Sequence, residues 1–531
     1  MDLHTAGHRR GVVCAPHHAA AEAGRAVLAE GGNALEAMIA MAATIAVVYP
    51  HMTGIGGDGF WVVREPSGRI HALMGAGRAG KNARQQLYRE SGYDEIPSRG
   101  PLAALTVPGA VAGWMLALEA AHAQGGRTPL ADLFAPAIRQ AAEGCPPSKS
   151  LAAWTATAAA ELKDVPGFAA TFLSDGKPPP QGALLKQPAL AATLGQLAHA
   201  GLDDFYRGDV GREIAADLDR LGSPVTRSDL ARCRAEVAEP LSVSIEAGTL
   251  YNTPPPTQGL VSLIILALFD RLRVAEPDGF DYVHLLTEAT KRALSLRDRV
   301  IADPEQMPGP PDRYLTGAFL DAEAALVDRR KAASWQALRR RGDTVWMGAS
   351  DASGLVVSYI QSVYWEFGSG VVLPRTGALM QNRGLGFSLD ARAINALAPG
   401  RLPPHTLNPA LAVLDDGRIM AYGAMGGDAQ PLVQAILFTR HVVFRQALDR
   451  VLDAPRFVAG RTWGAPQTNL FVEGRFDGNL IEALIAAGHE VVALPEPYAG
   501  MMGHAGAVVL HPNGTLEAAH DPRSDGGAAG V

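Results

Sequence analysis

Arg341-Gly342-Asp343-Thr344-Val345-Trp346-Met347-Gly348 is the stretch on which the reading of this chain turns. Thr344 opens an apolar run to Ala349. A turn signal follows at Asp351-Ala352-Ser353-Gly354, and a second strand-like run extends from Leu355 to Ser362. Two such runs around a turn predict a β-hairpin. Pairing Ser350 with Leu355 sets Thr344 opposite Gln361, so a second hydroxyl, Ser362, lies beside the first. A threonine at the head of a strand is usually no more than a β-branched strand former. The glycine-rich segments that follow it give this one a different reading.

Gly342-Asp343-Thr344, then Phe367-Gly368-Ser369-Gly370, then the pair Gly426-Gly427 stand in the order found in γ-glutamyltranspeptidases, which are N-terminal-nucleophile (Ntn) hydrolases. The chain resembles that family over nearly its whole length. The resemblance implies an α+β fold, a four-layer αββα sandwich built jointly by two autoproteolytic fragments. It also implies a cut between Asp343 and Thr344, with residues 1–343 as the large subunit and 344–531 as the small one. Thr344 would then be an N-terminal nucleophile. The chemistry is sound on its own terms. A threonine hydroxyl is a weak nucleophile, but a free α-amine on the same residue has a pKa of about 7.7 to 8 and can take its proton near neutral pH. No cofactor or metal is expected.

Composition narrows the remaining choices. The 531 residues exceed the usual size of one hydrophobic core, so two cores or one large layered unit are expected. Hydrophobic content of 47% against 19% charged residues describes a globular protein. The net charge of -7, with both signs interspersed, excludes a broad basic face for nucleic acid. Cys14, Cys145 and Cys233 form no metal-spaced pair and fit a reducing compartment. The longest apolar candidate, 37–48, is about a dozen residues against the roughly 20 that a bilayer needs. No membrane partner is expected, and Arg9-Arg10 lacks the apolar core of an export signal. The expected location is therefore the cytoplasm, unlike typical γ-glutamyltranspeptidases.

Local signals run in the same direction. Asn33 with Glu36 makes a capping box for a helix over 34–48 that is apolar nearly all round and so should be buried. His51-Met52-Thr53-Gly54-Ile55-Gly56-Gly57-Asp58-Gly59-Phe60 leads into a strand. It lacks the strand before and helix after that a dinucleotide loop requires, so tight backbone passage near the core is expected. Helices are expected over 260–272 and 282–298, a mostly helical region over 125–245, and hairpins around 60–75 and 410–422. A charged stretch, 334–341, precedes the proposed cut; in the family it is a mobile tail after cleavage.

By resemblance, Ser362 orients the nucleophile, and the amides of Gly426 and Gly427, at a strand-to-helix passage, form the oxyanion hole. Arg78 sits where the family keeps the arginine that grips the substrate carboxylate. A guanidinium suits that task because its rigid fork of donors fits a carboxylate bidentately. The family's acidic residue for the substrate α-amino group is replaced by Gly386. Its asparagine after the second hydroxyl is Tyr364, its glutamine is Arg383, and its paired serines are His405-Thr406.

A pocket without the ammonium clamp, narrowed by Tyr364 and given a second cation, favours a short amide that carries a carboxylate. In Asp343 to Gly348, Tyr364 to Gly370 and Gln381 to Gly384 the chain resembles the oxamate amidohydrolases of purine breakdown, a branch of the family. Their reaction yields oxalate and ammonia. A γ-glutamyl hydrolase or transferase needs another acid, and a glutaryl-type β-lactam acylase needs a longer pocket. A binding protein on the same scaffold would remain one uncut chain. The expected partners are the small amide and the two fragments themselves, and a dimer of αβ heterodimers is one expected assembly.

Overall fold

The computed structural model of this chain describes residues 1–180, 182–335, 343–460 and 469–531. Gly342 and most of the charged stretch over 334–341 lie outside the described residues. The architecture follows from strands whose two faces are both apolar. In the strand Gly11–Ala15, Val12 and Cys14 face one side and Val13 and Ala15 the other, and all are buried. The same alternation runs through Phe60 and Val62 against Trp61 and Val63, and through Trp346 against Val345 and Met347. Side chains alternate with a period of two, so a sheet built from such strands must be covered on both faces.

Two seven-stranded sheets meet that demand. The first runs, in spatial order, Gly527–Gly530, Gly11–Ala15, Asp343–Asp351, Val356–Tyr364, Asp58–Arg64, Ile70–Gly75 and Glu236–Ala238. The second runs His4–His8, Leu516–His520, Ala505–Leu510, Ile419–Ala424, Ala410–Leu414, Gly248–Asn252 and Leu241–Ile245. Every neighbouring pair in both is antiparallel. Val12, Phe60, Trp346 and Ile360 of the first sheet pack against Leu411, Ala421, Val508 and Ala518 of the second. Helices Ala34–Val48 and Ala110–Ala123 cover the outer face of the first sheet, and helices Gly259–Leu272, Phe280–Val300 and Gln430–Phe438 cover the second. The result is the expected α+β, four-layer αββα sandwich. Both sheets take strands from before and after Thr344.

The capping box at Asn33 forms with both of its hydrogen bonds, and every residue of its helix is buried. The nucleophile hairpin forms too, but its register differs by one from the expected pairing. Ser350 pairs with Val356 and Trp346 with Ile360, because the turn keeps Leu355, whose carbonyl accepts the Asp351 N–H. The register then shifts between Asp343, opposite Tyr364, and Val345, opposite Gln361, so Thr344 sits in a bulge across from Ser362 and Val363. Bulges re-aim side chains at strand ends.

Trp346 sets the spacing of the sheets. Its indole donates to Ser358 Oγ at 3.0 Å, and its ring lies flat over two glycines of the second sheet. A Cβ on Gly423 would stand 2.0 Å from Trp346 Cδ1, and one on Gly506 would stand 2.7 Å from Cζ3. Gly423→Ala is therefore expected to destabilise the protein by about 1–3 kcal/mol through overpacking. Gly478→Ala, at a position where nothing lies within 4 Å, should stay within roughly 0.5 kcal/mol. Urea unfolding of the two variants checks this.

Candidate active site

The first sheet's central hairpin ends where the strand Ile419–Ala424 of the second sheet turns into the helix Gln430–Phe438. Thr344 stands at that junction, 1% exposed, and its Oγ1 accepts the Gln430 side-chain N–H at 3.0 Å. Gln430 is itself held, since its Oε1 accepts from Asn408 Nδ2 at 3.1 Å. Asn408 also donates to the Thr406 carbonyl at 2.8 Å, and its Oδ1 accepts from Ser262 at 2.6 Å. Each group that fixes the threonine hydroxyl is thus fixed in turn. Ser362 lies across the bulge, and its Oγ accepts the Tyr364 N–H at 2.7 Å.

Gly426 and Gly427 have φ of 136° and 54°, backbone that glycine alone adopts readily. They make the turn Gly427–Ala429 that feeds the helix Gln430–Phe438, whose positive end favours a developing oxyanion. The turn is locked from behind. The Gly427 carbonyl accepts from Gln258 at 3.0 Å, and the buried Asp428 carboxylate meets Arg297 at 2.6 Å. Burial works against the Arg297 charge, but Asp428 and Asp298 hold the guanidinium firmly protonated.

A second buried group adjoins the first. The Arg383 guanidinium, 1% exposed, lies 4.0 Å over the Tyr364 ring and donates to Thr406 Oγ1 at 3.3 Å. Tyr364 has φ of 86°, a left-handed conformation that costs a non-glycine residue about 1–3 kcal/mol and tends to mark functional sites. His405 presents Nε2 to Asp58 Oδ2 at 3.3 Å, with its ring 4.8 Å from Phe60. Asp58 pairs with Ser362 across the sheet, and burial raises its carboxyl to about 7 despite Arg383, Gln381 and two backbone N–H groups.

Of the residues expected from sequence, the structure brings Thr344, Ser362, Tyr364, Arg383, His405, Thr406, Gly426 and Gly427 into one continuous set of contacts. Arg78 stands apart from that set. Its side chain is 44% exposed, donates to the Gly400 carbonyl at 3.1 Å and lies 3.7 Å from Asp303. It lines a cavity of about 760 Å³ with Pro254, Pro255, Pro256 and Leu402, and none of its described contacts reaches the buried group. The Gly75 to Ala79 approach turns it outward while Gly77 faces Asp58. Gly386 ends the turn Arg383–Gly386, and a Cβ there would meet the Pro404 carbonyl at 3.0 Å.

Sequence reasoning missed Gln430, Asn408, Asp58 and the Arg297–Asp428 pair. The available signals were an aspartate opening an apolar strand and a glutamine before Pro431 in an apolar helix. Among the described residues, His284, Glu288 and His489 are close enough together to hold a metal. The Lys291 ammonium already sits 2.7 Å from Glu288, and His284 Nδ1 lies 2.8 Å from His489 Nε2. A metal ion there would meet the lysine ammonium already paired with Glu288.

The family model described as Gamma-glutamyltranspeptidase matches residues 20–531. The chain is 50% identical over 521 residues, 98% of each chain, to a protein of Klebsiella pneumoniae named oxamate amidohydrolase proenzyme. It is 37% identical, over 98% of each, to a glutathione hydrolase-like YwrD proenzyme of Bacillus subtilis. The crystal structure of cephalosporin acylase from Bacillus halodurans superposes with a TM-score of 0.91 at 32% identity, covering 100% of this chain and 97% of the acylase.

The lock behind the glycine turn can be tested directly. Arg297→Met leaves Asp428 buried without this cation and is expected to cost about 3–5 kcal/mol in urea unfolding. Arg232→Met, which removes a guanidinium 65% exposed, should cost less than about 1 kcal/mol.

Proposed function

The chain belongs to the γ-glutamyltranspeptidase family of Ntn hydrolases, and from that premise we propose that it is a self-processing amidohydrolase of short, carboxylate-bearing amides, with oxamate as substrate and oxalate and ammonia as products. The observation that carries the proposal is the conjunction of Thr344, held through Gln430 beside the Gly426-Gly427 turn, with a fully buried guanidinium, Arg383, stacked on Tyr364.

In this reading the Thr344 hydroxyl attacks the carbonyl of Asp343, the acyl group moves from nitrogen to oxygen, and water opens the ester. The cut yields fragments 1–343 and 344–531 and frees the Thr344 α-amine. In turnover that amine takes the hydroxyl proton as Oγ1 bonds to the amide carbon, and the Gly426 and Gly427 amides stabilise the oxyanion. The proton passes to the leaving nitrogen, ammonia departs, and water, deprotonated by the same amine, hydrolyses the acyl ester. Arg383 anchors the substrate carboxylate in the buried group, and Arg78 remains the candidate at the rim. Tyr364 bounds the length of the acyl group, which favours oxamate over a glutaryl or γ-glutamyl chain. Crowding of Gly386 against Pro404 supports the same preference.

No described helix is long and apolar enough to cross a membrane. Three free cysteines, Cys14 and Cys145 among them buried, support a reducing, cytoplasmic compartment, and oxamate as the substrate would place the reaction in purine breakdown.

A panel of oxamate, γ-glutamyl-p-nitroanilide and a glutaryl β-lactam, with ammonia or product detection, tests the substrate class. Oxamate is expected to be preferred by at least about tenfold in kcat/KM; a preference for the γ-glutamyl compound would overturn this reading. Thr344→Ala should give one inactive band at the full 55.7 kDa, and mass spectra of the wild type should show a new amino terminus at Thr344. Gln430→Ala is expected to lower kcat by about 10- to 100-fold, from loss of a buried hydrogen bond worth roughly 1–3 kcal/mol.

A further inference from the structure

Asp58 touches neither Thr344 nor the glycine turn, yet it is one of the most deliberately housed side chains in the molecule. It is fully buried at the start of the strand Asp58–Arg64. Its Oδ1 accepts the N–H groups of Gly77 at 3.0 Å and Gly109 at 2.9 Å. Neither glycine could carry a side chain: a Cβ on Gly77 would stand 1.4 Å from the Val107 carbonyl oxygen, and one on Gly109 would stand 2.5 Å from that of Gly75. Two close backbone approaches therefore converge on one carboxylate oxygen. The other oxygen faces His405 Nε2 at 3.3 Å.

We propose that Asp58 is a specificity-determining positioning residue: with His405 it forms a buried carboxyl–imidazole pair that takes up one proton from solvent when an anionic substrate reaches Arg383. The proposal rests on the carboxylate-amide reading above.

Charge balance is the reason. In the empty site burial opposes the charge on Asp58 while the Arg383 guanidinium favours it, and both groups are buried. A substrate carboxylate brings a second negative charge to the same buried cation. Two carboxylates sharing one cation in a low-dielectric space do not both stay charged, and a proton neutralises one of them. The pair offers two resting places for that proton, Asp58 Oδ2 and His405 Nε2, while Oδ1 keeps its two backbone donors. A neutral amide brings no extra charge and calls for no proton.

Other groups near Asp58 stay out of the exchange. From the helical side the Cys233 thiol is pushed up to about 12 by burial, with Asp58 adding to the rise, and the Tyr206 phenol is raised well above its ordinary value for the same reasons. Tyr359, on the neighbouring strand, is likewise raised by burial. All three are neutral at working pH. Arg383 stays charged as an arginine does. The freed α-amine of Thr344 is the one other nearby group that titrates near neutrality, and it is present in every processed variant. Burial sets the Asp58 carboxyl near 7, so its protonation changes within the working range.

Calorimetry of oxalate binding to the processed enzyme, in two buffers of different ionisation heat, reads the proton directly. Wild type is expected to take up about half a proton on binding at pH 7 and close to one at pH 8, and its Kd should rise about tenfold between pH 6 and 8, as one ionisation near 7 dictates. Asp58→Asn keeps the shape and should reduce that rise to what the α-amine alone can contribute, about threefold at most. His405→Gln, which leaves the carboxyl in place, should move the midpoint of the rise. An Asp58→Asn enzyme that binds oxalate with the wild-type pH slope would overturn the proposal and leave the carboxylate reading standing. If Asp58→Asn does not mature, an unmoved midpoint in His405→Gln overturns it equally. Wild type that neither binds oxalate nor hydrolyses oxamate would overturn the carboxylate reading, and this proposal with it.

Discussion

The strand that begins at Asp343 is paired with Val356–Tyr364 along its length and, from Gly348 to Asp351, also with the strand Gly11–Ala15 on its other edge. Everything in the candidate site depends on that double pairing. A chain cut before Thr344 would leave the new terminus in place, because the strand is held by its neighbours rather than by the peptide that precedes it. Both sheets contain strands from either side of Thr344, so fragments divided there would share one set of cores. The fold can therefore treat an internal residue as an amino terminus without losing position at the reacting atom. Thr344 lies on the same face of its strand as Trp346, toward the second sheet, and Gln430, Asn408 and Ser262 hold its hydroxyl through successive hydrogen bonds.

Desolvated charge is the second organising feature. Arg297 with Asp428, and Arg383 near Asp58, place ionisable groups of opposite sign in the interior. Such pairs contribute little net stability, because desolvation offsets much of the attraction. Their value lies in geometry. Arg297 holds the glycine turn against the helix Phe280–Val300, and Arg383 lies flat on an aromatic ring whose own backbone is in a costly conformation. In a dry site each of these groups also acts on a bound ligand far more strongly than it would at the surface.

Much of this was legible in the chain. The order of Gly342-Asp343-Thr344, Phe367-Gly368-Ser369-Gly370 and Gly426-Gly427 pointed to the family, and Asn33 with Glu36 marked a helix that forms as expected. The hairpin register was off by one because turn residues alone do not say whether Leu355 belongs to the turn or to the strand. Arg78 is singled out by its place in the family's motif, which says nothing about which way a side chain leaves the backbone; its side chain is 44% exposed and faces Asp303. Asp58 and Gln430 were in plain view, but a single polar residue in an apolar segment shows no partner until the sheets are packed.

By itself, the sequence determined the alternating two-faced strands, the helix caps and the identity of a hydroxyl at a strand's start, because these depend on periodicity and nearest neighbours. Only the tertiary structure decided which polar groups share a buried space. Arg383, Tyr364, His405 and Asp58 come from four separate segments, and Thr344 meets Gln430 across 86 residues of chain. Contacts of that kind follow from how two sheets settle against each other around Trp346, a property of the packed whole that no local stretch encodes.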